Sequence, residues 1–156
     1  MALEIERKFL LASTAWRSEA THAEDMRQGY LGGDGVSLRV RIAGNKAWLN
    51  IKELRLGASR REFEYAVPLI DALQLMELSR EGRIEKTRHY VPHQGFTWEI
   101  DEFRGANAGL IVAEIELAEV GQDFPRPAWL GEEVTEQERY YNVALARHPY
   151  TSWSAT

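Results

Sequence analysis

The sequence predicts a mainly β (α+β) fold in which about eight short antiparallel strands close, or nearly close, into a barrel packed by a few helices. Three observations predict it. Apolar and polar side chains alternate with a period of two through most of the chain, as they do in strands. Glycine-rich turns separate several of these runs. Longer helical patterns occur only after Pro68 and near the C-terminus.

The first predicted strand shows this alternation most clearly. Glu4, Glu6 and Lys8 share one face, the intervening apolar residues share the other, and Arg7 is the polar exception on the apolar side. A strand with one face in solvent would show the same pattern. That interpretation weakens along the chain, because the charged face recurs in most of the later strands.

The elements that follow alternate between strands and turns. Ser13 and Thr14 are placed to cap a short helical turn over residues 16–20. Period-two alternation then predicts strands over residues 26–31, 36–42, 46–52 and 61–67. The first two of these form a hairpin, since residues 32–35 supply glycines that tolerate a positive φ.

Beyond Pro68 the period changes to that of a helix. Apolar residues spaced three and four apart predict a helix over residues 69–78, which Gly82 ends. Further strands are predicted over residues 83–91, 96–103 and 110–117. Thr135 and Glu138 have the spacing of a capping box, which predicts a C-terminal helix running to about residue 147.

Length and composition limit the classes of protein to which the chain can belong. The 156 residues, 44% of them hydrophobic, are expected to form a single domain over residues 1–156. A net charge of -5 argues against a general nucleic-acid-binding protein, which is normally basic. The absence of cysteine excludes disulfides, thiolate zinc sites and a cysteine nucleophile. With no segment of membrane-spanning length and no signal-peptide run, a cytoplasmic protein without membrane contact is expected, and a homodimer is compatible with the sequence.

The polar faces of the predicted strands carry an unusual density of ionic charge. Their basic members are Lys8, Arg39, Arg41, Lys52, Lys86 and Arg88, and their acidic members are Glu4, Glu6, Glu62, Glu64, Glu99, Asp101, Glu114 and Glu116. If these faces point into the barrel, its lumen is a water-filled tunnel lined by charged side chains. The apolar faces would then pack outward against helices, including those of Phe9, Val40, Ile51, Phe63 and Ile115. Because unpaired buried ions cost several kcal/mol each, such an interior indicates function rather than stability.

Both signs of charge in one cavity suit a polyphosphate that carries a metal ion. Arg and Lys side chains bind phosphates, and carboxylates without His or Cys partners prefer hard cations such as Mg²⁺ or Mn²⁺. The two carboxylates of a Glu-x-Glu pair lie roughly 7 Å apart on one strand face. Glu4 and Glu6 can therefore share one hydrated metal, and Glu114 and Glu116 repeat the pattern. Cross-strand salt bridges on an exposed face are the alternative interpretation of this spacing.

The order of these motifs resembles that of the CYTH superfamily, the triphosphate tunnel metalloenzymes. Residues 4–8 resemble the ExExK signature of that family. The other matching motifs, in the family's order, are Arg39-Val40-Arg41, Lys52, Glu62-Phe63-Glu64, Lys86-Thr87-Arg88, Glu114-Ile115-Glu116 and the segment from Thr135 through Tyr140 to Asn142. ExExK alone is a weak signal. The ordered set is specific, because its residues also fall on the predicted polar faces of the strands. It covers essentially the whole chain.

The resemblance implies an eight-stranded antiparallel tunnel that binds a small-molecule triphosphate and a divalent metal, Mg²⁺ or Mn²⁺. The residues it implies for phosphate binding are Lys8, Arg39, Arg41, Lys52, Lys86 and Arg88. Those it implies for metal binding are Glu4, Glu6, Glu114 and Glu116, with Asp101 as a further candidate. Ion pairing with the basic side chains suits Glu62, Glu64 and Glu99 slightly better than metal ligation.

Some family members use a tyrosine beside a lysine in catalysis. By that resemblance Tyr30 and Lys52 are catalytic candidates, together with the carboxylates of Glu4 and Glu6. A tyrosine that only closes the rim of the tunnel is an equally good interpretation of Tyr30.

The resemblance leaves several reactions open, since the family includes inorganic, thiamine and RNA triphosphatases and class IV adenylate cyclases. The chain has no inserted loop to form an adenine or thiamine pocket, and residues 28–31 lack the Tyr-Phe-Asp run associated with cyclase-like and thiamine-triphosphatase-like members. Metal-dependent hydrolysis of inorganic tripolyphosphate to orthophosphate is therefore the first expectation. The alternatives are adenylate cyclase activity, hydrolysis of thiamine or nucleoside triphosphates, and a non-catalytic polyphosphate-binding module.

Overall fold

Strands make up most of the computed structural model, which describes residues 2–80 and 82–153. The strands are β1 (Leu3–Leu11), β2 (His22–Gly32), β3 (Val36–Ala43), β4 (Lys46–Glu53), β5 (Ser59–Val67), β6 (Arg83–His93), β7 (Phe96–Phe103), β8 (Ile111–Glu116) and β9 (Leu130–Glu133). The α-helices of the described residues are α1 (Leu69–Glu77) and α2 (Asn142–Arg147). Short 3₁₀ turns lie at Ala15–Glu19, Gly105–Asn107, Glu138–Tyr140 and Tyr150–Ser152.

Eight of the strands close into an antiparallel barrel in the order β5-β4-β3-β2-β6-β7-β8-β1, and β1 pairs back to β5. At this seam Glu4 is the register partner of Arg60, and on the other side of β1 Glu6 is the partner of Glu116. β9 pairs with the C-terminal half of β1. Closure removes the open sheet edges that a flat eight-stranded sheet would expose. The predicted antiparallel eight-stranded barrel is confirmed.

Buried apolar residues cover the outside of the barrel. One cluster contains Phe9 and Trp98, two fully buried aromatic rings whose centroids lie 5.6 Å apart. α1 packs on β2, β3 and β4, and Met76 approaches Gly29 so closely that a Cβ there would lie 2.7 Å from its sulfur. The C-terminal segment packs through Leu145, which is completely buried. Because the apolar faces are packed on the outside, the alternating polar faces point toward the barrel axis.

The outer layer largely agrees with the sequence predictions, but the exposure of one residue and two of the strands differ from them. Phe9, Val40 and Ile115 are at most 1% exposed, as expected for outward-packed residues. Phe63 also lies on an apolar strand face, but it is 41% exposed, since α1 packs mainly on β2, β3 and β4. The alternation did not reveal β9, and β2 begins at His22 rather than at residue 26.

The C-terminal helix is shorter than predicted. α2 begins at Asn142, and residues 138–140 form a 3₁₀ turn. The Thr135 hydroxyl accepts a hydrogen bond from the Lys8 backbone N–H at 3.0 Å and donates one to Glu133 at 2.6 Å. The predicted capping box is therefore wrong, because contacts with β1 and β9 engage its threonine. Neither helix of the described residues has the length and apolar character needed to cross a bilayer.

Candidate functional site

The barrel contains a cavity of about 330 Å³ with an ionic lining. Its charged residues are Glu4, Glu6, Lys8, Arg39, Arg41, Lys52, Arg60, Glu62, Glu64, Lys86, Arg88, Glu99, Glu114 and Glu116. Among them carboxylates and cations are equal in number, seven of each. Tyr30, Ser37, Leu54, Tyr141, Asn142 and Val143 also line it. The charged lumen expected from the sequence is present.

Side chains alternate between the two faces of a strand, and this alternation (strand parity) explains how they reach the cavity. Inward-facing residues on one strand are two apart, as Arg39 and Arg41 are on β3. The predicted site residues that line the cavity are Glu4, Glu6, Lys8, Tyr30, Arg39, Arg41, Lys52, Lys86, Arg88, Glu114 and Glu116. Asp101 does not belong to the lining, although it has the same parity as the inward-facing Glu99 on β7.

Lys8 and Glu114 form a buried ion pair in the wall of the cavity. The Lys8 Nζ lies 2.8 Å from the Glu114 Oε1, and the two side chains are 8% and 9% exposed. Burial alone would lower the pKa of Lys8, but the charges of Glu114 and Glu6 outweigh it and raise this pKa above its usual value. Lys8 is therefore protonated at neutral pH, and its ion pair with Glu114 holds it in place.

Asp101 anchors two of the predicted phosphate ligands. Its Oδ2 accepts hydrogen bonds from the Lys86 Nζ at 2.8 Å and the Arg88 Nη2 at 3.0 Å, and its Oδ1 accepts one from the Arg88 Nε at 2.8 Å. Burial opposes its ionisation, but the charges of Arg88 and Lys86 lower the pKa of Asp101 to about 2. Both oxygens of this carboxylate are thus occupied by cations of the protein.

Gln28 connects the central residues of β2 and β3 to the C-terminal segment. Its Oε1 accepts a hydrogen bond from the Arg41 Nε at 2.8 Å, and its Nε2 donates to the Asn142 Oδ1 at 3.2 Å and the Tyr30 Oη at 3.3 Å. The Asn142 Oδ1 also accepts a hydrogen bond from the Lys86 Nζ at 2.9 Å. Gln28 is completely buried, so this network fixes the side chains around it.

Arg39 is positioned by a second relay of polar side chains. Its Nε donates to the Asn50 Oδ1 at 3.3 Å, and the Asn50 Nδ2 donates to the Glu64 Oε2 at 2.8 Å. The Arg39 Nη2 also lies 3.9 Å from the Glu62 Oε2. Arg39 is therefore held by neutral groups and by carboxylates of β5.

Lys52 is held more loosely than the other lysines of the cavity. Its Nζ lies 3.6 Å from the Glu6 Oε1 and 3.6 Å from the Glu62 Oε1, beyond ordinary hydrogen-bond distance. The Arg88 Nη1 donates a hydrogen bond to the Glu99 Oε2 at 3.3 Å. The carboxylates of Glu62 and Glu99 thus face basic side chains, and Glu64 faces Asn50.

Glu4 lies near other carboxylates, where β1 meets β8 and β5. A hydrogen bond with Glu116, partial burial and the charges of Glu116, Glu62 and Glu6 raise the pKa of Glu4 to about 8. Such crowding keeps a proton between two carboxyl groups unless another cation replaces it. Across residues 2–80 and 82–153, no three His, Asp or Glu side chains converge closely enough to form a metal site by themselves.

Several polar residues of the site were not selected from the sequence. Gln28 and Asn50 share the inward parity of Tyr30 and Lys52, and that parity was the available signal. Arg60 has the parity of Glu62, but it precedes the predicted start of its strand, whereas β5 begins at Ser59. Tyr141 reaches the cavity from outside the barrel strands; it lies within the matched segment from Thr135 to Asn142, but the alternation of side chains in a strand does not apply there.

Comparison with known proteins identifies the family to which this arrangement belongs. A family model described as the CYTH domain matches residues 2–150. The chain belongs to the CYTH domain family. Because the match covers nearly the whole chain, the resemblance drawn from the ordered motifs is confirmed.

Named relatives align with this CYTH chain over almost its full length. One, described as an inorganic triphosphatase from Acetivibrio thermocellus, is 42% identical over 155 residues, which cover 98% of this chain and 99% of that protein. Another, also described as an inorganic triphosphatase and from Nitrosomonas europaea, is 38% identical over 149 residues, covering 92% and 96%. A crystal structure of an inorganic triphosphatase superimposes with a TM-score of 0.68 at 36% identity, covering 92% of this chain and 97% of that chain.

Proposed function

We propose that this CYTH protein hydrolyses inorganic triphosphate to orthophosphate with the help of a divalent cation. One observation carries the proposal: the six basic side chains and the two Glu-x-Glu pairs selected from the motifs line one cavity. The relatives, which are 42% and 38% identical over more than nine-tenths of the chain, support inorganic triphosphate as the substrate. A cytoplasmic location is part of the same proposal.

The character of the cavity favours a small polyanion over a nucleotide. Fourteen of its 20 lining residues are charged. Its volume of about 330 Å³ lies near the lower end of the ~300–1,000 Å³ range of ligand pockets. A purine would need an apolar or aromatic surface, yet the Tyr141 ring already contacts the cations of Lys8 and Arg60. These features disfavour the adenylate cyclase alternative.

The crowded carboxylates of Glu4, Glu6 and Glu116 suit a divalent cation. The interaction with Glu116 raises the pKa of Glu4, so a cation can take the place of the proton that Glu4 keeps. Mg²⁺ is commonly held by one or two carboxylates plus substrate phosphates, which agrees with a donor set that needs oxygens from the ligand. When bound, Mg²⁺ or Mn²⁺ neutralises phosphate charge and polarises the P–O bonds. Asp101 is left out of this set, since both its oxygens contact Lys86 and Arg88.

The remaining chemistry is positioning and charge stabilisation, which dominate phosphoryl transfer. Lys8, Lys86 and Arg88 are fixed by buried carboxylates and present donors that need no reorganisation when substrate binds. Lys52 is held loosely at 3.6 Å from two carboxylates, so it is the cation best able to turn toward charge that develops on a leaving phosphate oxygen. Tyr30 accepts a hydrogen bond from Gln28, and its own O–H can donate to the substrate.

A side-by-side assay tests this proposal. Purified protein is incubated with tripolyphosphate, ATP or thiamine triphosphate in Mg²⁺, in Mn²⁺ or in EDTA, and phosphate, pyrophosphate and cyclic AMP are quantified. We expect orthophosphate release that is fastest with tripolyphosphate and that EDTA abolishes.

Each other outcome of the assay contradicts a specific part of the proposal. Cyclic AMP and pyrophosphate as the main products from ATP would replace the triphosphatase with an adenylate cyclase. Release that persists in EDTA would exclude the divalent cation. Tight binding of tripolyphosphate without any release would make the protein a polyphosphate-binding module.

A further inference from the structure

Arg60 shares with Arg41, among the cavity cations of the described residues, the lack of a carboxylate oxygen within 4 Å. It lies on β5 opposite Glu4 of β1, is 6% exposed and lines the cavity. Its Nη2 donates to the Gly57 carbonyl at 2.9 Å, and its guanidinium lies 4.7 Å from the centroid of the Tyr141 ring. Its Nε is buried and, within the part of the chain that the structure describes, has no hydrogen-bond partner.

A buried guanidinium in this state is short of an anion. The cavity lysines and Arg88 each have a carboxylate oxygen within 4 Å, whereas no carboxylate of residues 2–80 and 82–153 lies that close to the Arg60 nitrogens. Taking a charge out of water costs free energy that an ion pair or an anionic ligand must offset. Arg60 is therefore buried in the cavity wall, and no carboxylate of the described residues lies close enough to balance its charge.

Tyr141 holds Arg60 next to a predicted phosphate ligand. The Tyr141 Oη donates to the Thr135 carbonyl at 2.6 Å and accepts a hydrogen bond from the Gly57 N–H at 3.2 Å. Its ring contacts both the Arg60 guanidinium and the Lys8 Nζ, which lies 5.6 Å from the ring centroid. Because one fixed ring orders both side chains, the two cations are pre-arranged beside each other.

We propose that Arg60 is a further phosphate-binding residue, which donates from its guanidinium to the triphosphate beside Lys8. This inference rests on the proposed function, because it assigns another residue to the same substrate. Guanidinium groups bind phosphate oxygens with charge-assisted hydrogen bonds, and Arg60 lines the cavity without a carboxylate beside it among the described residues. Its contacts with Gly57 and Tyr141 persist in the complex, so Arg60 contributes to substrate binding in the ground state and in the transition state.

The test compares Arg60→Met with Arg61→Met. Arg61 is the adjacent residue on β5, but it points outward, its side chain is 67% exposed, and it pairs with Glu53. For Arg60→Met we expect KM for tripolyphosphate to rise roughly tenfold or more while kcat changes by less than about threefold, the signature of lost uniform binding. The increase in melting temperature that tripolyphosphate causes without added metal should also shrink. Arg61→Met should match the wild type in both measurements.

A purely structural role for Arg60 predicts a different pattern. In that case Arg60→Met lowers the melting temperature of the ligand-free protein and leaves KM unchanged, which overturns the proposal. If Arg60→Met does not fold, Arg60→Lys decides: an elevated KM in a folded protein supports the proposal, and a wild-type KM overturns it. A wild type that neither binds nor hydrolyses tripolyphosphate would instead overturn the proposed function itself.

Discussion

The Lys86 Nζ lies 2.8 Å from the Asp101 Oδ2, and both side chains are only 1% exposed. The same carboxylate binds Arg88 through both of its oxygens. Burial and the nearby charges of Arg88 and Arg41 lower the pKa of Lys86 to about 7, although Asp101 favours its protonated form. One buried carboxylate thus sets the position of two cations that face the cavity.

Replacing Asp101 by Asn should strongly destabilise the protein. The substitution keeps the shape but leaves Lys86 and Arg88 buried without their shared anion, which typically costs about 3–5 kcal/mol. Urea denaturation measures this change in the free energy of unfolding. Asp25→Asn is the control, since Asp25 pairs with Arg104 at the surface, where loss of a pair costs about 0–1 kcal/mol. Equal stability of the two variants would show that the Asp101 cluster is not a buried ionic network.

Two arginines of the cavity, Arg41 and Arg88, should contribute to stability to different extents. Burial and the charges of Arg39 and Arg88 lower the pKa of Arg41 to about 10, so the folded state disfavours this cation. Arg41→Met relieves this repulsion but leaves the buried Gln28 Oε1 without its donor, so the melting temperature of the ligand-free protein should change by less than ~2–4 °C, about 1 kcal/mol. Arg88→Met should lower it, because Asp101 loses a partner.

Catalysis should fall in both of these variants. We expect these arginines to bind the substrate phosphates in the ground state and more strongly as charge develops in the transition state, so loss of either should raise KM and lower kcat. Differential scanning fluorimetry and steady-state kinetics on the same preparations give both values. Wild-type kinetics in Arg41→Met would mean that this side chain does not contact the substrate.

Gln28→Met should damage the site without removing any charge. The variant leaves the Arg41 Nε without its buried acceptor, a loss of about 1–3 kcal/mol in stability. Because Arg41 and Tyr30 lose their common anchor, kcat/KM should also fall, by roughly tenfold. Gln74→Met, at an exposed position of α1, controls for the substitution itself. If both variants keep wild-type kinetics, Gln28 does not position the site.

The pairing of Glu133 with Arg7 should make stability depend on acidic pH. Hydrogen bonds from Arg7 and Thr135 hold the pKa of the Glu133 carboxyl below its usual value of 4.5. The unfolded chain therefore binds more protons in acid, so this contribution is present above pH ~4.5 and is lost as pH falls through the folded-state pKa.

Glu133→Gln tests that contribution. It should cost about 1 kcal/mol at neutral pH and remove part of the decline in stability below pH ~4.5, as measured by urea denaturation across pH. Glu132→Gln, at an exposed position of the same strand, is the matched control. If stability declines in acid as steeply in Glu133→Gln as in the wild type, the Glu133 carboxylate does not provide this contribution.

Much of the fold could be predicted from strand parity. Parity alone decides which side chains share a face, so Arg39 and Arg41, or Lys86 and Arg88, could be grouped before the structure was known. Closure of the barrel then brings these faces together. The capping box at Thr135 could not be rejected from sequence, because its hydroxyl is used by residues more than 100 positions away.

The supporting residues of the site were harder to predict than its charges. Arg60 lies at the start of a strand, where alternation is too short to assign a face. Gln28 and Asn50 are neutral, and a neutral polar residue with inward parity carries no chemical signature of its own. Tyr141 reaches the cavity only because the C-terminal segment folds back over β1 and β5.

The central claim is that the carboxylates of the first motif hold a cation in this cavity for triphosphate hydrolysis. Glu6 tests it cleanly, because its ion-pair partner Lys52 keeps an equally close contact with Glu62. The decisive measurement is the turnover of tripolyphosphate by Glu6→Gln at saturating Mg²⁺, made on protein whose ligand-free melting temperature is also recorded. We expect turnover to fall by ~10²–10³-fold, as when one oxyanion donor is lost, with little change in melting temperature. A Glu6→Gln protein with wild-type turnover and reduced stability would contradict the account.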